Sequence, residues 1–183
     1  GDIRFLDLDG NGKIDENDRD FIGNPYPDVM MGLNIALGWR NWDLNANFYG
    51  SFGNDIYNCT KSRYSGVAGE NVFAGTFDKC WHGEGTSTEY PRLSANDSNL
   101  NYSRKSDWFV EDGSYFRCKN INLSYTFPKK LINRIRLKNL RVYVNVEDPF
   151  CFHHYPKGWD PEVNASATNY IATTYTFGVD LSF

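Results

Sequence analysis

The chain alternates between apolar and polar side chains over five separate stretches. From Asp28, Met31, Leu33, Ile35, Leu37 and Trp39 share one parity, with polar or small residues between them. After Arg40-Asn41, Trp42, Leu44, Ala46, Phe48, Gly50 and Phe52 repeat the pattern against Asp43, Asn45, Asn47, Tyr49 and Ser51. Successive side chains on a strand point to opposite faces, so these two stretches predict a hairpin with a two-residue turn. Ile121, Leu123, Tyr125 and Phe127 predict a third strand, while Phe116 and Cys118 upstream sit on the other parity. An extra residue near Lys119-Asn120 reconciles the two, which predicts a β-bulge there. Pro128 ends that strand, and the basic run Lys129 to Arg136 has room for one helical turn. Leu140, Val142, Val144 and Val146 form a fourth stretch, and Tyr175, Phe177, Val179, Leu181 and Phe183 a fifth.

Between these stretches the pattern lapses twice. Residues 58–107 are rich in Gly, Ser, Thr and Asn and are expected to form one long loop; 148–170 are expected to form another. The predicted fold class is all-β. Five antiparallel strands of roughly 9–15 residues are long enough to cross a bilayer when tilted. Five are too few to close a spanning barrel, so they predict a slice of a larger one. Aromatics make up 16% of the chain, as interface girdles require. A final strand ending on Phe183 suits a barrel whose last strand anchors at an interface. No run of about 18 apolar residues occurs, so a transmembrane helix of that length is excluded. A net charge of −4 gives no reason to expect nucleic acid as a partner. The chain opens at Gly1 without Met and is expected to be a fragment or mature piece whose start lies elsewhere.

The segment ahead of the first strand carries the clearest candidate chemistry. Asp7, Asp9 and Asn11 occupy positions one, three and five of an EF-hand loop, and Gly12 supplies the turn at six. Lys13 offers a backbone carbonyl at seven, Ile14 packs inward at eight, Asp15 stands at nine and Asp18 at twelve. Six or seven oxygens wrapped around a point are what a hard cation needs, so calcium is the expected ion. Asp in place of Glu at twelve reaches less far, which points to weak, extracellular-type binding of about 10⁻⁴–10⁻³ M. The ligand set is Asp7, Asp9, Asn11, Lys13, Asp15 and Asp18.

Other candidates are weaker. Cys59, Cys80, Cys118 and Cys151 show no metal-binding spacing; a Cys59–Cys80 disulfide is open, and independent thiols are the plainer expectation. His153-His154 reads as a loop surface pair, and the Asp160-Pro161-Glu162 carboxylates read as turn residues. Trp81, Tyr90, Tyr102 and Trp159 suit sugar stacking, but ordering their loops is the simpler role. No nucleophile elbow, phosphate loop, dinucleotide fingerprint or zinc motif occurs, and no enzyme is expected.

Four stretches carry a resemblance. They are Gly1-Asp2-Ile3-Arg4-Phe5 through Asp18-Arg19 to Ile22-Gly23-Asn24-Pro25; Asp112-Gly113-Ser114-Tyr115 to Pro128; Leu140-Arg141-Val142-Tyr143-Val144; and Gly158-Trp159-Asp160-Pro161-Glu162 with Tyr175-Thr176-Phe177-Gly178. In that order the chain resembles the C-terminal end of SusC-like (RagA-like) TonB-dependent outer-membrane transporters. The resemblance implies a 22-stranded barrel with an N-terminal plug, importing glycans or peptides with a SusD-like surface lipoprotein and energy from TonB. It implies a bacterial outer-membrane location, with 28–183 as the closing strands; counting back from the last strand then puts residues 1–27, with their calcium spacing, on an extracellular loop. Glu147-Asp148-Pro149 and Cys118 depart from the family pattern, and Pro149 is expected at or beyond a strand end.

Under that reading Leu33, Ile35, Leu37, Leu44, Phe48, Leu123, Tyr125, Val142, Val144, Phe177 and Val179 face lipid. Asn34, Asn45, Asn47, Asn122, Ser124, Arg141, Asn145 and Asp180 line the lumen. Arg40-Asn41 and the 128–136 connection fall on the periplasmic side, and the long loops outside. The rival expectation is a secreted calcium-binding β module for adhesion or carbohydrate binding. Such a module would bury its apolar faces against each other and fold alone.

Overall fold

A computed structural model describes residues 1–156, 158–163 and 171–183, without the side chain of Ile135. The chain divides into two compact units, Gly1–Pro25 with Asp55–Glu111, and Tyr26–Asn54 with Asp112–Phe183.

The second unit is built on a five-stranded antiparallel sheet. Its strands are β1 (Val29–Trp39), β2 (Trp42–Phe52), β5 (Tyr115–Thr126), β6 (Asn139–His153) and β7 (Thr174–Ser182), adjacent in that order. It is an up-and-down sheet, interrupted between β2 and β5 by the residues that contain β3 (Asp55–Tyr57) and β4 (Val110–Asp112). Those two short strands pair with each other.

The register sorts the side chains as the alternation predicts. Leu37, Leu44, Leu123, Val144 and Phe177 stand in one cross-strand row, and Trp39, Trp42, Tyr125, Val142 and Val179 in the next. This face is solvent-open: Leu37 is 59% and Phe177 77% exposed. Leucines and phenylalanines are left out in this way when lipid rather than a second sheet is to cover them. Aromatic pairs gather toward both ends of the band. Trp42 lies 4.7 Å from Tyr125 and Tyr125 5.0 Å from Phe127 at the short-turn end; Phe48–Phe116 (5.6 Å) and Phe150–Phe152 (5.3 Å) lie toward the other. From Val29 to Trp39 the strand rises about 33 Å, or about 25 Å along a membrane normal after a tilt of ~40°. That height matches the apolar band of an outer-membrane barrel.

The predicted bulge is present. Asn47 pairs with Asn120 and Phe48 with Cys118, which leaves Lys119 as the extra residue of β5. On the other side Cys118 faces Phe150 and Asn120 faces Glu147, so β6 adds an extra residue of its own at Asp148-Pro149. One expectation needs correction here: the loop does not begin at 148, because β6 continues through Pro149 to His153. Pro149 is tolerated because β7 pairs only with Asn139–Glu147 and the β5 register shifts at that point. No ladder bond is therefore asked of its missing N–H. Of the expected 148–170 loop, residues 157 and 164–170 lie outside the described residues. The basic connection forms a single turn, α3 (Lys129–Ile132), continued by a 3₁₀ turn at Asn133–Ile135.

In the first unit residues 58–107, expected as one long loop, carry short helical elements and group with Gly1–Pro25. Within this unit lie α1 (Cys59–Tyr64), α2 (Thr76–Lys79) and a 3₁₀ turn at Asp107–Phe109. Its core is small and aromatic: Phe109 and Tyr102 are buried, and Trp108 meets Tyr90, Tyr102 and Phe109 edge-on at 5.2, 6.1 and 4.8 Å. Polar groups hold the rest. The buried Asp97 carboxylate accepts from the backbone of Asn101 and Tyr102, and the Tyr102 hydroxyl donates to the Pro91 carbonyl at 2.9 Å. The chain start is clamped into this unit, since Ile3 N–H donates to Asn101 and Arg92 N–H to the Gly1 carbonyl.

Candidate functional site

The acidic loop closes on itself through its own backbone. Asp7 accepts from the N–H groups of Gly10, Asn11 and Gly12 at 2.8, 3.2 and 2.8 Å, and Asp9 accepts from Asn11 at 3.0 Å. Gly10 and Gly12 have φ of +71° and +79°, a left-handed conformation that costs glycine nothing. At the far end Asp18 accepts from Leu8 and Asp15, both at 2.7 Å, and Asp15 caps the short turn Glu16–Asp18. The N–H groups of Asp15 and Leu8 hold the Asp18 carboxyl below the usual carboxylate range. Ile14 is half-buried, and its carbonyl accepts from Arg104 at 3.2 Å.

Of the six expected ligands, this geometry brings together three. Carboxylate oxygens of Asp7, Asp9 and Asp18 lie within 4.8 Å of one another. The Asn11 side chain is beside them, with its amide nitrogen 2.8 Å from Asp9 and 3.4 Å from Asp15. Asp15 is turned instead to the N–H of Asn17 at 2.8 Å. The donor set, carboxylate and amide oxygens on a loop with glycines at its bends, fits a hard cation such as calcium.

The second cluster lies on the polar face of the sheet, and sequence reasoning passed over it. Arg117, beside the bulge, is 3% exposed and reaches Asp160 through one terminal nitrogen, Glu162 at 2.9 Å and Asp148 at 3.8 Å. Lys119, the bulged residue, reaches Glu162 at 2.7 Å and Asp148 at 3.8 Å. Asp160 also accepts from the Glu162 N–H at 3.0 Å, so the turn role expected of it is kept and a second is added. Along the same face Asn120 donates to Asn145 at 2.6 Å, and Arg141 spans Ser124 at 3.1 Å and Asp180 at 3.8 Å. The signal was there in the sequence: two cations at a bulge, and three carboxylates near the far end of the next strand.

No protein-family model matches the chain. The curated proteins are more informative. Over 177 residues the chain is 36% identical to TonB-dependent receptor P3 of Formosa agariphila, which covers 96% of this chain. Over 188 residues it is 32% identical to the TonB-dependent receptor SusC of Bacteroides thetaiotaomicron, covering 98%. The chain belongs to the SusC-like TonB-dependent receptors. It spans about a sixth of those relatives, 17% of the length of each. Among solved structures, the RagAB peptide transporter matches with a TM-score of 0.72 at 21% identity, over 93% of this chain and 19% of that one. The RagAB peptide importer in its closed-closed state matches at 0.73 and 21%, over 94% and 20%. These likenesses establish the fold, in which the five-stranded sheet is part of a large barrel wall, and membership of the receptor family places it in the outer membrane.

In a SusC-like receptor the remaining candidates resolve simply. All four cysteines are free, so the Cys59–Cys80 bridge is not formed. Cys118 is fully buried in the apolar row between Phe48 and Phe150, where a thiol acts as a small hydrophobe. His153 belongs to β6 rather than to a loop, while His154 is exposed and lies 3.9 Å from Asp112. Tyr102 is buried, Tyr90 meets Trp108 edge-on, and a side chain on Gly1 would run into the ring of Trp81. These aromatics order their unit.

Proposed function

We propose that this chain is the C-terminal stretch of a TonB-dependent importer, working with a SusD-like lipoprotein to bring glycans or peptides across the outer membrane. The observation that carries the reading is the sheet itself. One face is an unbroken apolar band, the other is lined with Asn, Ser, Arg and Asp, and the short connections share one end. An outer-membrane barrel needs lipid on one side of its wall and water on the other, with short turns toward the periplasm. In this reading the segment is not an enzyme. Its strands hold the wall, and its longer connections meet the lid or the substrate outside the cell. The TonB-dependent receptor relatives support dependence on TonB, and the RagAB peptide transporter supports peptides as a substrate class; the lipoprotein and glycans follow from the family resemblance. Deleting the receptor's gene, and separately that of a neighbouring lipoprotein, should each abolish growth on the same glycan or peptide. Growth unaffected by either deletion would overturn the importer reading.

We also propose that the Asp7–Asp18 loop binds calcium through Asp7, Asp9, Asn11 and Asp18, with the Lys13 carbonyl and Asp15 completing the set. The ion supplies positive charge that cancels repulsion among the three gathered carboxylates and so stiffens the loop. Calorimetric titration of the intact receptor should show a calcium heat that vanishes in Asp7→Asn with Asp9→Asn. An unchanged heat in that variant would remove the loop as the site.

A further inference from the structure

The short-turn end of the sheet gathers six cations: Arg40, Lys129, Lys130, Arg134, Arg136 and Lys138. All six are exposed, and none makes an ion pair among the described residues. Backbone bonds bring their segments side by side. Thr126 N–H donates to the Asn41 carbonyl at 2.9 Å, Leu137 to Ile132 at 3.2 Å, and Lys138 to Ser182 at 2.8 Å. No acidic residue occurs from Phe127 to Asn139. Asp43 and Asp180 stand toward this end of the strands but on the polar face, and Asp180 is engaged by Arg141.

The patch borders the aromatic end of the apolar band. The Arg40 guanidinium lies 4.9 Å over the Trp39 ring, and Leu131, between the two lysines and Arg134, is 56% exposed. Aromatic rings, an exposed leucine and unpaired cations on long flexible stems, stacked in that order, match the transition from acyl chain to headgroup. Cations at such a boundary are drawn to anionic headgroups, each adding to the attraction. A protein partner is less well served, because the charge continues the lipid-facing band without a polar gap.

We propose that this end of the wall is a basic collar that binds the phosphates of anionic phospholipid headgroups in the adjoining leaflet. The inference rests on the barrel reading above. The test is native mass spectrometry of the intact receptor in detergent, titrated with phosphatidylglycerol or phosphatidylcholine. Wild type should retain phosphatidylglycerol about tenfold better. Lys129→Gln, Lys130→Gln, Arg134→Gln, Arg136→Gln and Lys138→Gln together should bring the ratio close to one. Lys→Arg at 129, 130 and 138 should preserve it. If the quintuple variant fails to assemble, Lys129→Gln with Lys130→Gln alone should still lower the ratio measurably. Equal retention of the two lipids, displacement by inorganic phosphate, or loss of a co-purifying protein with lipid binding intact would each overturn the collar. A wild-type protein lacking the heat-dependent gel shift of a barrel would overturn the barrel reading instead.

Discussion

Replacing Arg117 by alanine should free the turn at residues 158–163 from the barrel wall. In the native cluster two cations, Arg117 and Lys119, face three carboxylates, Asp148, Asp160 and Glu162. The substitution leaves Lys119 alone against all three. Truncating one member of a fully buried ion pair costs about 3–5 kcal/mol. Here the guanidinium is 3% exposed, but the carboxylates are 22, 17 and 30% exposed and keep some hydration. Discounting for that screening leaves about 2–3 kcal/mol. The equilibrium for turn release should then rise about 30- to 150-fold, at 1.4 kcal/mol per factor of ten.

Limited proteolysis of the intact receptor in detergent reads this directly, because cleavage follows the open population when reclosing is fast. Cuts mapping between Gly158 and Val163 should accelerate by that factor, while the barrel itself survives. Arg117→Lys should fall between, since an ammonium keeps the charge but cannot span three partners as a planar fork does. Adding Asp160→Asn and Glu162→Gln to Arg117→Ala should recover much of the protection, because the unpaired charges are then gone. A cleavage rate within about twofold of wild type, or no recovery in the combined variant, would refute the electrostatic account.

Three further outcomes are expected. A Cβ on Gly178 would meet the ring of its cross-strand neighbour Tyr143 at 2.1 Å, so Gly178→Ala should lower the receptor's melting midpoint, by about 1–3 kcal/mol of stability, and Tyr143→Ser should relieve it. Arg40 has a φ of +55°, so Arg40→Gly should be neutral or stabilising by up to about 1 kcal/mol in the same melt; a clear loss would mean the cation–π contact with Trp39 outweighs backbone strain. The Asp2 carboxyl is held below the usual range first by Arg92 and then by Asn101, at 2.7 and 2.8 Å. A depressed folded value means its contribution is full above the ordinary unfolded value of about 4 and lost as pH falls through the folded one. Proteolysis near the first residues should therefore rise below about pH 4, and Asp2→Asn should flatten that dependence at a lower starting stability.

Much of the sheet was legible because a membrane wall leaves its pattern unmixed. Each strand has one environment per face, so Leu33, Ile35 and Leu37 or Asn45 and Asn47 report their side without interference from neighbours. Even the bulge at Lys119 could be read, since a shift of one residue inverts parity and Cys118 and Ile121 cannot otherwise share a face. The same rule misled at Pro149. Proline argues for a strand end only where its N–H is needed, and whether β7 reaches that far is a fact about the partner strand.

The first unit shows where local pattern stops being informative. Residues 58–107 have little periodicity because only short turns and two brief helices organise them, and the order comes from contacts between distant positions. Asn101 is the clearest case. It is 1% exposed and joins Ile3, Asp2 and Asn99, two of them nearly a hundred residues away. A buried asparagine in a polar stretch looks like any other loop residue until its partners arrive. Arg117 differs only in degree: its parity was readable, but its burial depended on Asp160 and Glu162 folding back across the bulge. The fold of the acidic loop was readable for the opposite reason. Asp7 accepts from Gly10 and Gly12, and Asp18 from Leu8 and Asp15, all within twelve residues, so spacing alone encodes the geometry. What sequence could read, in the wall and in the loop alike, was set within one strand or one turn; what it missed was set by carboxylates and amides closing over long separations.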